Sequence, residues 1–155
     1  MRLASILFVV AVLGACGGKK SSTTTTPEGG GSAASLYDRL GGKPAITKVV
    51  DDFVANCAAD TRINKFFTAA AGDPNEMAHF KQMLVEQICE ASGGPCKYSG
   101  KSMPEAHKGM NITHDDFVAL VDDLQKALVA DGVKEQEQKD LLGALGPLEP
   151  DIVGK

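Results

Sequence analysis

From Leu36 onward the apolar residues recur at helical intervals, and no stretch alternates apolar with polar over the length of a strand. Ile46, Val49, Val50, Phe53, Val54 and Cys57 form one i, i+3, i+4, i+7 face; Met77, Phe80, Leu84 and Ile88 form another. A third comprises Phe117, Leu120, Val121, Leu124 and Leu128. Helix punctuation falls between them. Ser35 can cap a short helix ending at Gly41-Gly42, and Pro44 sits in a first turn. Asp73-Pro74-Asn75-Glu76 and Ser102-Met103-Pro104-Glu105 read as capping boxes, the first with Asp in the Ser/Thr role. Thr113 caps the next start, where Ile112 can staple to Phe117. Gly93-Gly94-Pro95, Gly132 and Gly146-Pro147 are stops, the last closing a helix from about Glu135 to Leu145. The expected fold class is all-α, in one domain of residues 36–155.

What precedes that domain reads as an address. Residues 1–15 form a lipoprotein signal peptide: Arg2 supplies the positive start, and an apolar run from Leu3 to Leu13 follows. That run is too short to span a bilayer comfortably. Leu13-Gly14-Ala15-Cys16 resembles the bacterial lipobox, which makes Cys16 the lipidation site and places the mature chain on a membrane through a lipid anchor. Gly17 rather than Asp after the cysteine leans towards the outer membrane, with the domain facing periplasm or exterior. Residues 16–35 are rich in Gly, Ser and Thr and hold no apolar side chain larger than Ala beyond Cys16, so they read as a disordered tether.

Charge and cysteines narrow the function. The whole chain of 155 residues carries a formal −4 and no Trp, so it has no basic footprint for nucleic acid. Of the four cysteines, Cys16 is assigned to the lipid. In an oxidising compartment Cys89 and Cys96, flanking a short loop, can close a disulfide; the other reading is two ordinary thiols. Cys57 would remain free. No CxxCH occurs for covalent haem attachment, and no Cys/His pairs have zinc-site spacing.

Six stretches in order carry a family resemblance. They are Leu36-Tyr37-Asp38-Arg39-Leu40-Gly41-Gly42, Val50-Asp51-Asp52-Phe53, Asp60 through Phe66-Phe67, Gly93-Gly94-Pro95, Tyr98-Ser99-Gly100, and Met103 through Ala106-His107 to Ile112-Thr113. Together they make Leu36 to Val153 resemble the group 1 truncated haemoglobins, the two-on-two globins that bind haem b. The resemblance implies that His107 is the proximal iron ligand. Phe67 matches the haem-stacking Phe, with Phe66 one register away. Phe53, Phe80, Leu84, Tyr98, Met103, Ile112, Phe117 and Leu120 fall where the family lines its pocket, though each is also an ordinary core residue. Lys81 is near a position from which a haem propionate is reachable. His79 reads as a surface or haem-edge residue, or as a sixth ligand, and His114 as solvated.

Two departures bear on ligand chemistry. Val54 stands where most members have a Tyr that donates to bound O2, and Leu84 stands at a position that is often Gln. Phe80 stands where a side chain faces the iron. The expected distal pocket is therefore apolar, and O2 should be held less tightly relative to CO and NO. Three functions follow from the resemblance and the address. One is a haem b globin for O2, NO and CO, with NO dioxygenation as a side activity fed by an electron donor. The second is a haem redox or gas-sensing module with six-coordinate iron. The third is a haem-free helical lipoprotein acting by protein contacts.

Overall fold

The structure, a computed structural model, describes residues 34–155; the signal segment, Cys16 and most of the tether lie outside it. The described residues contain helices and no strand. Eight α-helices follow in order: α1 Leu36–Arg39, α2 Gly42–Ala59, α3 Thr68–Ala71, α4 Pro74–Ala91, α5 Met103–Ala106, α6 His114–Ala130, α7 Glu135–Leu145 and α8 Glu149–Ile152. Two 3-10 turns, Asn64–Phe66 and Gly146–Leu148, join α2 to α3 and α7 to α8. No described helix is long and apolar enough to cross a membrane.

The long helices α2, α4, α6 and α7 form the frame. α2 packs against both α4 and α6, and α7 touches α4 and α6, the two-on-two arrangement. All six residues of the α2 face are buried: Ile46, Val49, Val50, Phe53, Val54 and Cys57. They meet Val85, Ile88 and Cys89 of α4 and Leu124, Ala127 and Leu128 of α6 in one core. Cys57 is fully buried and unbridged, and burial pushes its thiol up to about 12.

The punctuation acts largely where the sequence places it. Ser35 accepts from the Asp38 backbone N–H, and Asp38 accepts in return from Ser35. The Thr113–Asp116 box opens α6 in the same reciprocal way. Asp73 is the exception. Its carboxylate accepts from the Asn75 N–H at 2.8 Å, and Glu76 returns no bond, so α4 opens on an Asp cap with a first-turn proline rather than on a full box. The chain past Leu145 is also more structured than a simple stop at Gly146-Pro147. The turn and α8 carry it back, so that the Gly154 N–H donates to the Ile112 carbonyl and the Asn111 N–H to the Lys155 carbonyl. Asn111 has φ of 50°, a left-handed conformation that asparagine tolerates.

Charged groups tie the helix ends. Arg39 of α1 bonds Glu137 at 3.0 Å and Asp140 at 2.5 Å, both on α7. Arg62 joins Asp60, at the end of α2, to Asp122 of α6, and the guanidinium holds the Asp60 carboxyl down to about 2. His114 is exposed but not simply solvated. Its Nδ1 lies 2.5 Å from Glu149 Oε1, and that carboxylate raises the imidazole above its usual pKa.

Cys89 and Cys96 form a disulfide that closes the bend after α4. On a chain-entropy basis so short a loop contributes about 2.5 kcal/mol. A Cys89→Ser/Cys96→Ser double variant of the chain should therefore melt about 10 °C lower than the parent under oxidising conditions. It should match the parent once both are reduced. Calorimetry reads the difference, and equal melting of the oxidised proteins means that the bridge adds nothing.

Candidate functional site

The frame encloses one large cavity, of about 720 Å³, open at one side. Its walls are mostly apolar. α2 supplies Phe53, and the stretch after it supplies Ile63, Phe66 and Phe67. α4 supplies Phe80, Met83, Leu84, Gln87 and Ile88. Tyr98 and Met103, then His107, Met110 and Ile112, form the wall that follows α4, and Phe117 and Leu120 close it from α6. Leu145, Leu148 and Ile152 reach it from the C-terminal end.

Of the residues that the sequence points to, eleven of thirteen share this cavity, Phe66 and Phe67 both among them. The Phe67 and Phe80 rings stack obliquely, with centroids 5.9 Å apart and planes at 58°. Lys65 lies over the Phe66 ring at 4.7 Å. Two of the thirteen lie elsewhere. Lys81 does not line the cavity: one helical step past Phe80 it turns towards α2, where its ammonium sits 2.8 Å from Asp51. Val54 does not line it either. It is 3% exposed and belongs to the core between α2 and its neighbours, while Phe53 beside it takes the cavity face.

His107 is held by two local devices. The first is the box at the start of α5. The Glu105 carboxylate accepts from both the Ser102 N–H and hydroxyl, at 3.2 and 2.5 Å, and these bonds lower its pKa. The second acts on the ring. Nδ1 of His107 lies 2.8 Å from the Met103 carbonyl oxygen. A carbonyl only accepts, so in neutral imidazole Nδ1 carries the proton and Nε2 keeps its lone pair. That is the tautomer and the orientation of an imidazole prepared to ligate a metal.

The mouth of the cavity is polar. Glu76, His79, Lys101 and Asp116 stand there, and His79 is exposed. The loop that carries Tyr98 hangs from α4 by two carboxylates one turn apart. Glu90 accepts from the Tyr98 N–H at 2.9 Å, and Glu86 accepts from the Ser99 hydroxyl at 2.7 Å. These donors, with Lys97 on Glu90 and Gln82 on Glu86, hold both carboxyls below the usual range. The Tyr98 hydroxyl donates to the Lys101 carbonyl at 2.9 Å, and burial raises its pKa.

Sequence reasoning missed Met83 and Gln87, although both fall on the Phe80/Leu84 stripe at i+3 and i+7 from Phe80. A polar Gln in an apolar stripe does not announce itself as wall. It also missed the contribution of Leu148 and Ile152, because α8 is too short for periodicity to mark.

A family model described as Bacterial-like globin matches residues 35–153. A group 1 truncated haemoglobin from Mycolicibacterium paratuberculosis is 38% identical over 119 residues, covering 77% of this chain and 84% of that protein. One from Tetrahymena pyriformis is 31% identical, covering 78% of this chain and 96% of that protein. The crystal structure of the Tetrahymena pyriformis truncated haemoglobin in its Fe(III) form superposes with a TM-score of 0.73 at 30% identity, covering 79% of this chain and all of that one. The 2/2 haemoglobin of a Synechococcus species, in the cyanomet state with covalently attached haem, gives 0.70 at 29% identity, again over 79% of this chain and all of that one. With its cavity and its prepared imidazole, the chain belongs to the bacterial-like globin family, among the group 1 truncated haemoglobins.

Proposed function

We propose that this chain is a gas-binding globin that takes up haem b in the 720 Å³ cavity, with His107 as the axial ligand. The observation that carries the reading is the His107 Nδ1 contact to the Met103 carbonyl, which leaves Nε2 as a lone-pair donor on a cavity wall. The residues fit the group. A flat macrocycle with two carboxylate tails needs apolar walls and a polar mouth, and the cavity has both. Phe67 and Phe80 offer aromatic faces, while Lys101 offers a cationic partner and His79 a polar one among the lining residues. Haem b supplies an iron whose remaining axial position takes a diatomic gas.

The chain's own residues then set the ligand preference. Phe53, Phe80 and Leu84 present carbon to the cavity, so none of the three can donate a hydrogen bond there. O2 gains most from a donor, so the reading is weak retention of O2 with CO and NO less affected. NO dioxygenation depends on retained O2 and an electron donor, and stands below simple gas binding for that reason. Exposure of His79 at the mouth favours an open axial position over a six-coordinate redox or sensing module. Cys16 anchors the domain through lipid to a bacterial membrane, with the outer membrane favoured by Gly17 and the globin facing periplasm or exterior.

Three expectations follow from this reading. His107→Ala should abolish stoichiometric uptake of haemin, seen as loss of the Soret band on titration, whereas His114→Ala should bind normally. A normal Soret band in the His107 variant removes the assignment. Leu84→Gln places an amide on the cavity wall and should slow O2 release roughly 2- to 10-fold, the factor that a net hydrogen bond of about 0.5–1.5 kcal/mol gives. Stopped-flow displacement of O2 by CO measures it, and an unchanged rate means that another donor already acts. Intact mass of membrane-extracted protein should show the chain cleaved before Cys16 and carrying acyl mass; an unacylated mature chain refutes the anchor.

A further inference from the structure

Gln87 occupies an unusual place. It is half-buried in the apolar stripe of α4, on the cavity wall, and its Nε2 donates to Met103 Sδ at 3.4 Å. A thioether is a weak acceptor, so this bond is a poor return for a buried amide unless it holds something. What it holds is the residue whose carbonyl orients His107. Met103 therefore carries three bonds at once: its sulfur accepts from α4, and its carbonyl accepts from the imidazole Nδ1 at 2.8 Å and from the His107 backbone N–H at 3.1 Å.

The need for such a tether is visible in α5. That helix has four residues and buries none of them, and its packing partner is the equally short α8. Hydrophobic burial does not fix it, so directed bonds must. The Ser102–Glu105 box fixes its opening turn from within. Gln87 fixes it from outside, as a residue of the long α4, which is anchored in the core by Val85, Ile88 and Cys89.

We propose that Gln87 is a positioning residue for His107, acting through Met103 to set the direction and strength of the Nδ1–H bond and so the basicity of the axial nitrogen. The inference rests on the reading of His107 as the iron ligand. A donor on α4 would thereby tune how His107 holds the iron without itself touching iron or gas. The backbone bond from the His107 N–H keeps the Met103 carbonyl in the last turn of α5, so loss of the tether acts by loosening the short helix as a unit, which weakens the shared bond to the ring that makes imidazole a stronger ligand.

The test uses the full chain loaded with haemin and reduced, as wild type, Gln87→Leu, Met103→Leu and the double variant. Resonance Raman reads the iron–histidine stretching band, and NMR of the ferric cyanide form reads solvent exchange of the His107 Nδ1 proton. Gln87→Leu should lower and broaden the band and speed the exchange roughly 2- to 10-fold, the factor expected for one net hydrogen bond. Met103→Leu should do the same, and the double variant should be no worse than either single, because both act through one contact. An unshifted band and exchange rate in Gln87→Leu, or effects that simply add in the double variant, overturn the proposal. A wild type that takes up no haemin overturns the gas-binding reading along with it, so the two failures are distinct.

Discussion

A cavity of about 720 Å³ lies where a domain of roughly 120 residues would ordinarily keep its core. That hollow is the constraint on which the rest depends. Side chains that face it are held apart by it, so they gain little from contact with one another across its width. The close-packed part of the molecule is displaced to the junction of α2, α4 and α6, where Val50, Cys57, Cys89, Ala127 and Leu128 are fully excluded from water. On the opposite side the wall between α4 and α6 is made of short elements with few buried residues. It is held instead by directed links: the Cys89–Cys96 bridge, the carboxylates of Glu86 and Glu90 under the Tyr98 loop, the Ser102 box, and the C-terminal carbonyl of Lys155 on Asn111. The division makes physical sense. Hydrophobic burial needs apolar neighbours on every side, whereas hydrogen bonds and a covalent bridge can fix a thin wall beside a cavity.

The long helices were legible because their burial is periodic. Each of the six apolar residues assigned to the inner face of α2 is buried, and the limits of α7 coincide with its expected span. The short α1 and α5 were legible only through their caps, and α3 and α8 were not, because no period can be read over four residues. Glu76 shows a limit of motif reading. Asp73-Pro74-Asn75-Glu76 has the residues of a box, yet the first carboxylate is satisfied two positions on, and Glu76 goes to the cavity mouth.

The site was legible in its chemistry and less so in its register. His107 and most of the aromatic wall were recoverable from the order of motifs, since each lies beside a strong local signal such as a cap or a Gly-Gly-Pro stop. Val54 and Lys81 lie off the cavity lining for one reason. Each sits one residue from a true wall position, and a 100° step on a helix turns a side chain from the cavity into the core or towards a neighbouring carboxylate. Gln87 escaped notice because its role is a contact with Met103, sixteen residues away, that only the folded chain creates.

The burial of Cys57 settles which thiols can exchange. Thiol–disulfide exchange runs through the thiolate, and a thiol pushed up to about 12 is ionised in roughly one molecule in 10⁵ at neutral pH. Its sulfur is also wholly enclosed, so no oxidant or foreign disulfide can approach it while the fold persists. Three cysteines in one domain permit three pairings, and an odd one left over invites scrambling or cross-linking between chains. Here the odd sulfur is silenced by its surroundings, and the Cys89–Cys96 pairing is protected from the one nucleophile in the domain that could reopen it.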